Sequence, residues 1–352
     1  MTKSSASGAL GLKAGDWVVV KSKQEILRTL DKNGQLDRMP FMPEMLKFAG
    51  QRLQVSKRAH KTCDPMNTGL GIRALPDTVH IGDLRCDGSA HANCQAGCLF
   101  YWKEAWLEQD GATRAAAPAV PGQGCTEEDL VRGTIAHDKP VHATGPTYIC
   151  QATQVGVATS PMKWYAVSQY VEDYRSGNAS LGRVFNALLF WVWHNITSSR
   201  LGIGSGMRWL YDRFQKLIGG TPYPWRLGEV PKGQKTPTLL LDIQEGELVR
   251  TKPYREILKT LDSEWRNRGL YFDAEMVPYT ERTMKVLRRV TRIIDEKTGE
   301  MLIMKNPCLI LEGSVCEAKY AKCRKLCPRG YYLYWREIWV DRIADASAAR
   351  PG

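Results

Sequence analysis

The chain contains 352 residues, of which 43% are hydrophobic and 24% charged, and its formal net charge is +12. These fractions are typical of folded globular proteins, so they exclude a fibrous or wholly disordered chain, and the length favours two or three domains. The sequence has no apolar run of about 18 residues and no signal peptide in residues 1–12. We therefore expect a cytoplasmic protein without a transmembrane segment. The positive charge favours an anionic partner, and both nucleic acid and protein partners stay open.

The first predicted domain spans residues 15–110 and begins with a strand, a helix and a second strand. The first strand covers Trp17–Lys21, the helix Glu25–Leu30, and the second strand Arg52–Lys57, where polar and apolar residues alternate. The segment Ser22-Lys23-Gln24-Glu25 has the form of a capping box, in which the serine and glutamate side chains satisfy amides at a helix start.

The middle region, residues 111–240, differs in composition. Gly111–Gly124 is rich in Ala, Pro and Gly and predicts a linker, while Ser168–Tyr174 and Leu181–Ile218 have helical patterns. The longer helical segment combines apolar side chains with several arginines. We interpret it as a buried helix joining the two flanking domains. The alternative is a helix that lies on a membrane surface, which would place the protein peripherally at a membrane.

The third predicted domain, residues 241–345, repeats the first. Gly15–Asp31 and Gly246–Asp262 are identical at nine of seventeen positions, at an offset of 231 residues, and the same offset pairs Glu44 with Glu275. Agreement that continues over about ninety residues indicates two copies of one domain. Several short strands around one helix favour a small barrel. We therefore predict a mixed, mostly β protein in which two homologous SH3-like barrels flank a mainly helical middle region.

The ten cysteines fall into two similar patterns. In the cytosol, clustered cysteines more often bind metal or act in catalysis than form disulfides. The pattern Cys-x7-Cys-x3-Cys of the first domain recurs as Cys-x6-Cys-x3-Cys in the third, and each closing pair would share one face of a helical turn. Each domain also contains one further thiol. We predict two four-cysteine metal sites, with ligands Cys63, Cys86, Cys94 and Cys98 in the first domain and Cys308, Cys316, Cys323 and Cys327 in the third.

The spacing leaves the metal open. Four thiolates suit zinc in a tetrahedral site or an iron–sulfur cluster such as [4Fe–4S], but neither the Cys-x2-Cys pair of zinc ribbons nor the ferredoxin spacing is present. His91 is a further candidate zinc ligand, although a local hydrogen-bonding role is the favoured interpretation because the second copy has no matching histidine. The alternative without metal is a set of buried, inert cysteines.

A weaker set of chemically active residues follows the first domain. Cys125 and Cys150 have no counterpart in the second copy, and His137 and His142 flank Asp138 in the sequence AHDKPVHATG. A thiol next to an imidazole can act as an activated nucleophile, so these five residues are the candidate catalytic groups. Ordinary histidines in a surface loop are the alternative.

Four strings of the sequence, LRCDGSAHANCQAGCLFYWKEAWLE, YICQATQVGVATSPMKWY, GGTPYPWRLGEVPKGQKTP and EILKTLDSEWRNRGLYFDAEMVPY, resemble a family of bacterial proteins with duplicated, cysteine-rich chains. The resemblance covers nearly the whole chain. Members of this family occur among biosynthetic genes, which implies an enzyme or an accessory in small-molecule or polysaccharide assembly. We therefore expect a metal-binding enzyme or redox accessory of a biosynthetic pathway. The alternative is a metal-stapled scaffold that binds a protein, a nucleic acid or a membrane surface.

Overall fold

The computed structural model describes residues 10–64, 71–111, 124–199, 202–322 and 324–343. These residues form two compact units: the first draws on the described residues up to 185 and within 292–302 and 322–330, and the second on those within 186–291 and 303–321 and from 331 onward. Helix and strand are present in about equal amounts. The chain is therefore mixed, as predicted, but the expectation of a mostly β protein is corrected, because the middle region contributes most of the helices.

The first unit is built on an antiparallel sheet. Its strands and α-helices are, in chain order, β1 Trp17–Val20, α1 Lys23–Thr29, β2 Gln35–Leu36, β3 Met39–Pro40, β4 Arg52–Arg58, β5 Lys61–Cys63, β6 Ile72–Ala74, β7 Thr78–Ile81, β8 Trp102–Lys103, β9 Leu107–Gln109, α2 Glu127–Arg132, α3 Gln151–Ala158, β10 Ser160–Met162 and α4 Val167–Arg175. The main sheet has the order β8-β7-β4-β1-β9, and a second sheet has the order β10-β6-β5. Short 3₁₀ helices at Pro43–Phe48 and Glu104–Trp106 complete the unit.

The core of the first unit follows from its alternating strands and aromatic side chains. Val18 and Val20 of β1 are fully buried, whereas Trp17 on the opposite face is exposed. Ser22 is the N-cap residue of helix α1 and forms the predicted capping box with Glu25, which confirms that prediction. Trp106 is fully buried and meets the ring of Phe41 edge to face, with the centroids 5.0 Å apart.

The main sheet of the second unit has five strands in an order that matches the main sheet of the first unit. The remaining elements are α5 Leu181–Thr197, α6 Gly204–Leu217, β11 Leu248–Thr251, α7 Tyr254–Leu258, β12 Arg266–Asn267, β13 Leu270–Tyr271, β14 Thr283–Ile294, β15 Met301–Val315, β16 Tyr332–Trp335 and β17 Val340–Arg342. The main sheet has the order β16-β15-β14-β11-β17. The tip of the β14–β15 hairpin, residues 292–302, belongs to the first unit.

Equivalent residues of the two main sheets make equivalent contacts. Phe272 meets Trp339 edge to face at 5.2 Å, as Phe41 meets Trp106. Arg58 donates to Glu104 at 2.8 Å, and Arg289 donates to Glu337 at 2.6 Å; both carboxylates are fully buried. Among the described strands neither sheet closes into a barrel, so the SH3-like topology stays a prediction.

Helices α5 and α6 pack together in the second unit through their aromatic side chains. The ring of Phe190 lies 6.2 Å from that of Tyr211, and His194 stacks on Tyr223 at 6.1 Å. Gly204 is the one buried residue of α6, whereas α5 has four, so the interpretation of residues 181–218 as a buried helix is wrong for α6 and holds only for the inner row of α5. The prediction failed because these helices have apolar side chains both on the row that faces the core and on the row that faces outward. None of the helices in the described ranges has the length and apolar character needed to cross a membrane.

Candidate metal site

The loop between β7 and β8 carries the first cysteine pattern and folds back on itself. The amide of Cys86 donates to the carbonyl oxygen of Cys98 at 2.9 Å, which brings the two ends of the loop together. Gly88 adopts a φ of +79°, and a Cβ atom there would lie 2.2 Å from the carbonyl oxygen of Cys94. Glycine is therefore required at this position for the tight turn that brings Cys86, His91 and Cys94 together.

Three potential ligands converge at the start of this loop. The thiol of Cys86 lies 3.2 Å from Glu44 Oε1 and 3.5 Å from His91 Nε2. Glu44 comes from the 3₁₀ helix Pro43–Phe48, and both Glu44 and His91 are buried. The three ligand atoms lie within 4.8 Å of one another, and no other group of this kind occurs among the described residues. A single cation could bind all three, and its site is formed entirely within the first unit.

The three groups are poorly satisfied without a cation. Glu44 Oε2 and His91 Nδ1 are buried and have no hydrogen-bond partner in the described chain. Burial raises the pKa of the Glu44 carboxyl and lowers the pKa of His91 to about 4. Burial, and then the charge of Glu44, raise the pKa of the Cys86 thiol far above its usual range. A bound metal ion would stabilise the thiolate and the carboxylate, which burial disfavours, and it would bind the neutral imidazole, which burial already favours.

A small pocket extends from this group and is lined by four thiols. Its cavity volume is about 30 Å³, and its lining includes Cys86, Cys94, Cys98 and Cys150. Cys150 is the N-cap residue of α3, which places it next to a loop that is distant in sequence. Burial raises the pKa of Cys98 above its usual range and that of Cys150 to about 12. The described thiols do not converge on one point as closely as the Glu44–Cys86–His91 group does.

Cys63, the predicted fourth ligand, lies elsewhere in the first unit. Its thiol is hydrogen-bonded to Cys327, and this bond, with the charges of Arg329 and Arg324, lowers the pKa of Cys63 to about 6. Arg329 also donates to the carbonyl oxygen of Cys63 at 2.8 Å. Cys63 does not line the pocket, and Cys150 stands there in its place. The sequence could not show this because Cys150 lies outside the repeat.

The second predicted set is not brought together as a ligand group. Cys308 is buried beside Arg336, whose Nη1 lies 3.4 Å from its sulfur, and burial raises its pKa to about 11. Cys316 is buried near β16, where its amide donates to the carbonyl oxygen of Tyr331. Cys327 pairs with Cys63, and Cys323 lies outside the described residues. The described members of this set therefore form no common site.

Most of the weaker catalytic candidates lie away from the pocket. His137 and Asp138 are exposed in the loop after α2, and His137 Nε2 lies 3.1 Å from the carbonyl oxygen of Arg132. His142 pairs with Glu300 at 3.4 Å, and the thiol of Cys125 donates to the carbonyl oxygen of Thr126. Cys150 is the one member of this set that lines the pocket. The predicted linker at 111–124 falls largely outside the described residues.

Glu44 is the site residue that sequence reasoning missed. Its repeat partner Glu275 accepts hydrogen bonds from the amides of Lys319, Tyr320 and Ala321, at 3.1, 2.5 and 3.0 Å. Glu44 makes no such set of bonds and faces a thiol and an imidazole. The pairing of Glu44 with Glu275 was visible in the sequence, but the difference in their surroundings was not.

No protein-family model matches the chain, and a search of curated proteins finds no significant match. The evidence for the site is therefore its own geometry.

Proposed function

We propose that this is a metal-binding protein whose metal ion is held by Glu44, Cys86 and His91. The observation that carries the proposal is the convergence of these three ligand atoms within 4.8 Å in a buried place. Glu44 Oε2 and His91 Nδ1, which have no hydrogen-bond partner in the described chain, support the same conclusion. Buried polar groups without partners are costly, and a bound ion removes that cost.

Zinc is the ion that this donor set fits best. Thiolate, imidazole and carboxylate are its three protein ligand types, and three such ligands leave a fourth coordination position open. The cavity of about 30 Å³ beside the group is large enough for a water molecule. Its small size favours a metal ion with a water ligand over a bound organic substrate.

An iron–sulfur cluster is the second candidate, and the four thiols of the pocket favour it. Cys86, Cys94, Cys98 and Cys150 all line the same cavity, and four cysteines are the usual ligands of such a cluster. Each thiolate of a [4Fe–4S] cluster binds a different iron, so the sulfurs need not approach as closely as at one ion. A cluster would require the pocket to widen, which places this candidate second.

For the biological role, we propose a redox accessory or enzyme of a biosynthetic pathway in the bacterial cytoplasm, within the family that the sequence resembles. Cys86 supports a redox role, because a metal ion that its sulfur coordinates would convert the thiol into the thiolate, which is the form that can be oxidised. The alternative is a duplicated scaffold in which the metal only stabilises the first unit, and the small cavity supports this alternative.

Metal analysis of matched variants separates these possibilities. The protein is purified anaerobically, and zinc, iron and sulfide per chain are measured with the visible spectrum. Glu44→Gln removes a ligand that only the zinc site uses, and Cys150→Ser removes a ligand that only the cluster would use. Cys86→Ser removes a ligand that both would use. Cys125→Ser is the control, because Cys125 is a buried thiol of the same unit that does not line the pocket.

Our proposal expects about one zinc per chain, lost in Glu44→Gln and Cys86→Ser and retained in Cys150→Ser and Cys125→Ser. If iron, sulfide and visible colour are present, are lost in Cys150→Ser and are retained in Glu44→Gln, the protein binds an iron–sulfur cluster instead of zinc. If neither zinc nor iron and sulfide binds stoichiometrically after reconstitution, both the zinc site and the cluster are contradicted. If pathway activity then falls only in proportion to thermal stability, the scaffold alternative is correct.

A further inference from the structure

Helices α5 and α6 present an apolar surface that no part of the described chain covers. Along α5, three side chains follow at helical spacing, and three more follow along α6. All six are exposed, from 40% for Ile196 to 86% for Leu217. We define the outer helical surface by Leu189, Val192, Ile196, Leu210, Phe214 and Leu217. Exposed apolar patches of this kind usually mark an interaction site.

The inner rows of the same helices are already occupied, so the outer rows cannot turn inward. Phe190 and His194 of α5 lie against Tyr211 of α6 and against Tyr223. His194 Nδ1 and the hydroxyl of Tyr223 are 2.8 Å apart, which fixes the rotation of α5 about its axis. The outer apolar residues are therefore held facing outward by a packed core.

A second row, which contains one tryptophan and two cations, lies next to the apolar row on α6. Trp209, Arg213 and Lys216 are exposed at helical spacing, and the Arg213 guanidinium lies 5.4 Å from the centre of the Trp209 ring. These three residues also line a groove of about 480 Å³ that includes Arg208 and Arg255.

The groove has a strong positive excess. Its single carboxylate, Asp212, is paired with Arg226 and also accepts the amide hydrogen of Tyr223. Four cations of the groove therefore face no carboxylate within it: Arg208, Arg213, Lys216 and Arg255. Such a site attracts a phosphate or another anion.

We propose that the outer helical surface docks on a membrane that contains anionic phospholipids. The apolar rows enter the boundary between headgroups and acyl chains, and Trp209 lies at that boundary. Arg213 and Lys216 bind lipid phosphates, and the groove accepts one headgroup. This proposal goes beyond the metal site and does not depend on it.

The combination of features favours a membrane over a protein partner. An interfacial helix carries Leu, Phe and Trp on one side and Lys or Arg beside them, which is the pattern of α6. The outer row of α5 contains no charged residue between Asn186 and Thr197, so inserting this row into lipid removes no charge from water. Apolar insertion and phosphate binding act together, because neither alone gives stable attachment.

Vesicle sedimentation tests the proposal with the full-length protein. We expect binding to phosphatidylcholine vesicles that contain phosphatidylglycerol, weaker binding to phosphatidylcholine alone, and a decrease as salt rises. Arg213→Gln with Lys216→Gln should weaken binding about thirtyfold, or about fivefold for each cation removed. Leu217→Ser should weaken vesicle binding about tenfold, because the variant lacks the apolar side chain that is buried in the lipid when the wild type binds.

Matched controls remove the same chemistry from another face of the second unit. Arg250→Gln with Lys285→Gln removes two exposed cations from the sheet, and Ile303→Ser removes an exposed apolar side chain. Both should bind vesicles as the wild type does, and circular dichroism should show every variant folded. Equal loss in controls and test variants would overturn the proposal.

Three other outcomes would also overturn it. Absence of vesicle binding would do so, as would a dimer in solution that Leu217→Ser dissociates, since a second copy would then cover the surface. Binding of inorganic phosphate in the groove without any vesicle binding would assign the groove to a free anion.

Discussion

The two main sheets share a strand order and equivalent core contacts, yet the two glutamates that the predicted repeat pairs, Glu44 and Glu275, have different surroundings. Glu275 is satisfied by three backbone amides in the second repeat. Glu44 in the first repeat faces Cys86 and His91, and its Oε2 has no partner in the described chain. Two sheets with the same strand order, of which only one contains a glutamate without its full set of hydrogen bonds, are what we expect when one glutamate is structural and the other binds a ligand.

The largest expected effect concerns a feature that both repeats share. Glu104 and Glu337 are buried and each pairs with an arginine and accepts backbone amides. Glu104→Gln and Glu337→Gln should each lower the free energy of unfolding by about 3–5 kcal/mol, because each removes a buried carboxylate that binds a half-buried arginine and two backbone amides. Urea denaturation measures both. A large loss in one repeat and none in the other would break the equivalence.

The next effect separates the repeats. In metal-free protein, Glu275→Gln should lower the free energy of unfolding by about 2–4 kcal/mol, because it removes a charged acceptor from three amides. Glu44→Gln should change it by less than about 1 kcal/mol, because burial already disfavours the charged form of Glu44. Urea denaturation with a chelator present measures the difference. Equal losses in both variants would show that Glu44 is structural.

A buried histidine gives the first repeat an acid sensitivity at a position where the second has isoleucine. Val79 pairs with Trp102 and Leu309 with Trp335, so the next residues, His80 and Ile310, are equivalent. Burial lowers the pKa of His80 to about 4 from the ordinary value of 6.5. As the pH falls from about 6.5 to 4, His80 is protonated in the unfolded chain before it is protonated in the folded chain. The free energy of unfolding that the neutral His80 contributes above pH 6.5 is therefore lost over this range.

His80→Ile should therefore remove part of this loss, about 1–3 kcal/mol of unfolding free energy at pH 4 relative to pH 7. The rest stays because burial also lowers the pKa values of His60 and His91 to about 4. Unfolding curves recorded across this pH range provide the measurement. An unchanged pH dependence in the variant would show that His80 does not contribute.

The smallest effect concerns the first helix of each repeat. Ser22 caps α1 with both bonds of a capping box, whereas Pro253 at the same place before α7 provides no side-chain cap. Ser22→Ala should cost about 1 kcal/mol, and Pro253→Ala should leave the cap energy unchanged. Thermal unfolding would detect the difference, and equal losses would argue against the capping role of Ser22.

The sequence predicted the features that depend on local pattern. The capping box at Ser22 and the helices of the middle region both depend on residues close in the chain. The repeat offset predicted which residues of the two copies correspond. It could not predict the surroundings of those residues, because identical positions can face different loops.

The sequence failed where the site depends on distant segments. Cys150 reaches the pocket from the N-terminus of α3, and Cys63 pairs with Cys327 from a segment outside the first copy. Neither contact follows from spacing. The burial of α5 and α6 was also misjudged, because the sequence shows that a helix has apolar rows but not which of them meet a core.

The most direct test of the central claim is zinc binding by Glu44→Gln and Glu275→Gln, measured by equilibrium dialysis after chelation, under conditions where both variants are folded. We predict that the wild type and Glu275→Gln each bind about one zinc ion per chain and that Glu44→Gln binds none. Equal zinc binding by the two variants, whether retained or lost, would contradict the assignment of a metal site to the first repeat.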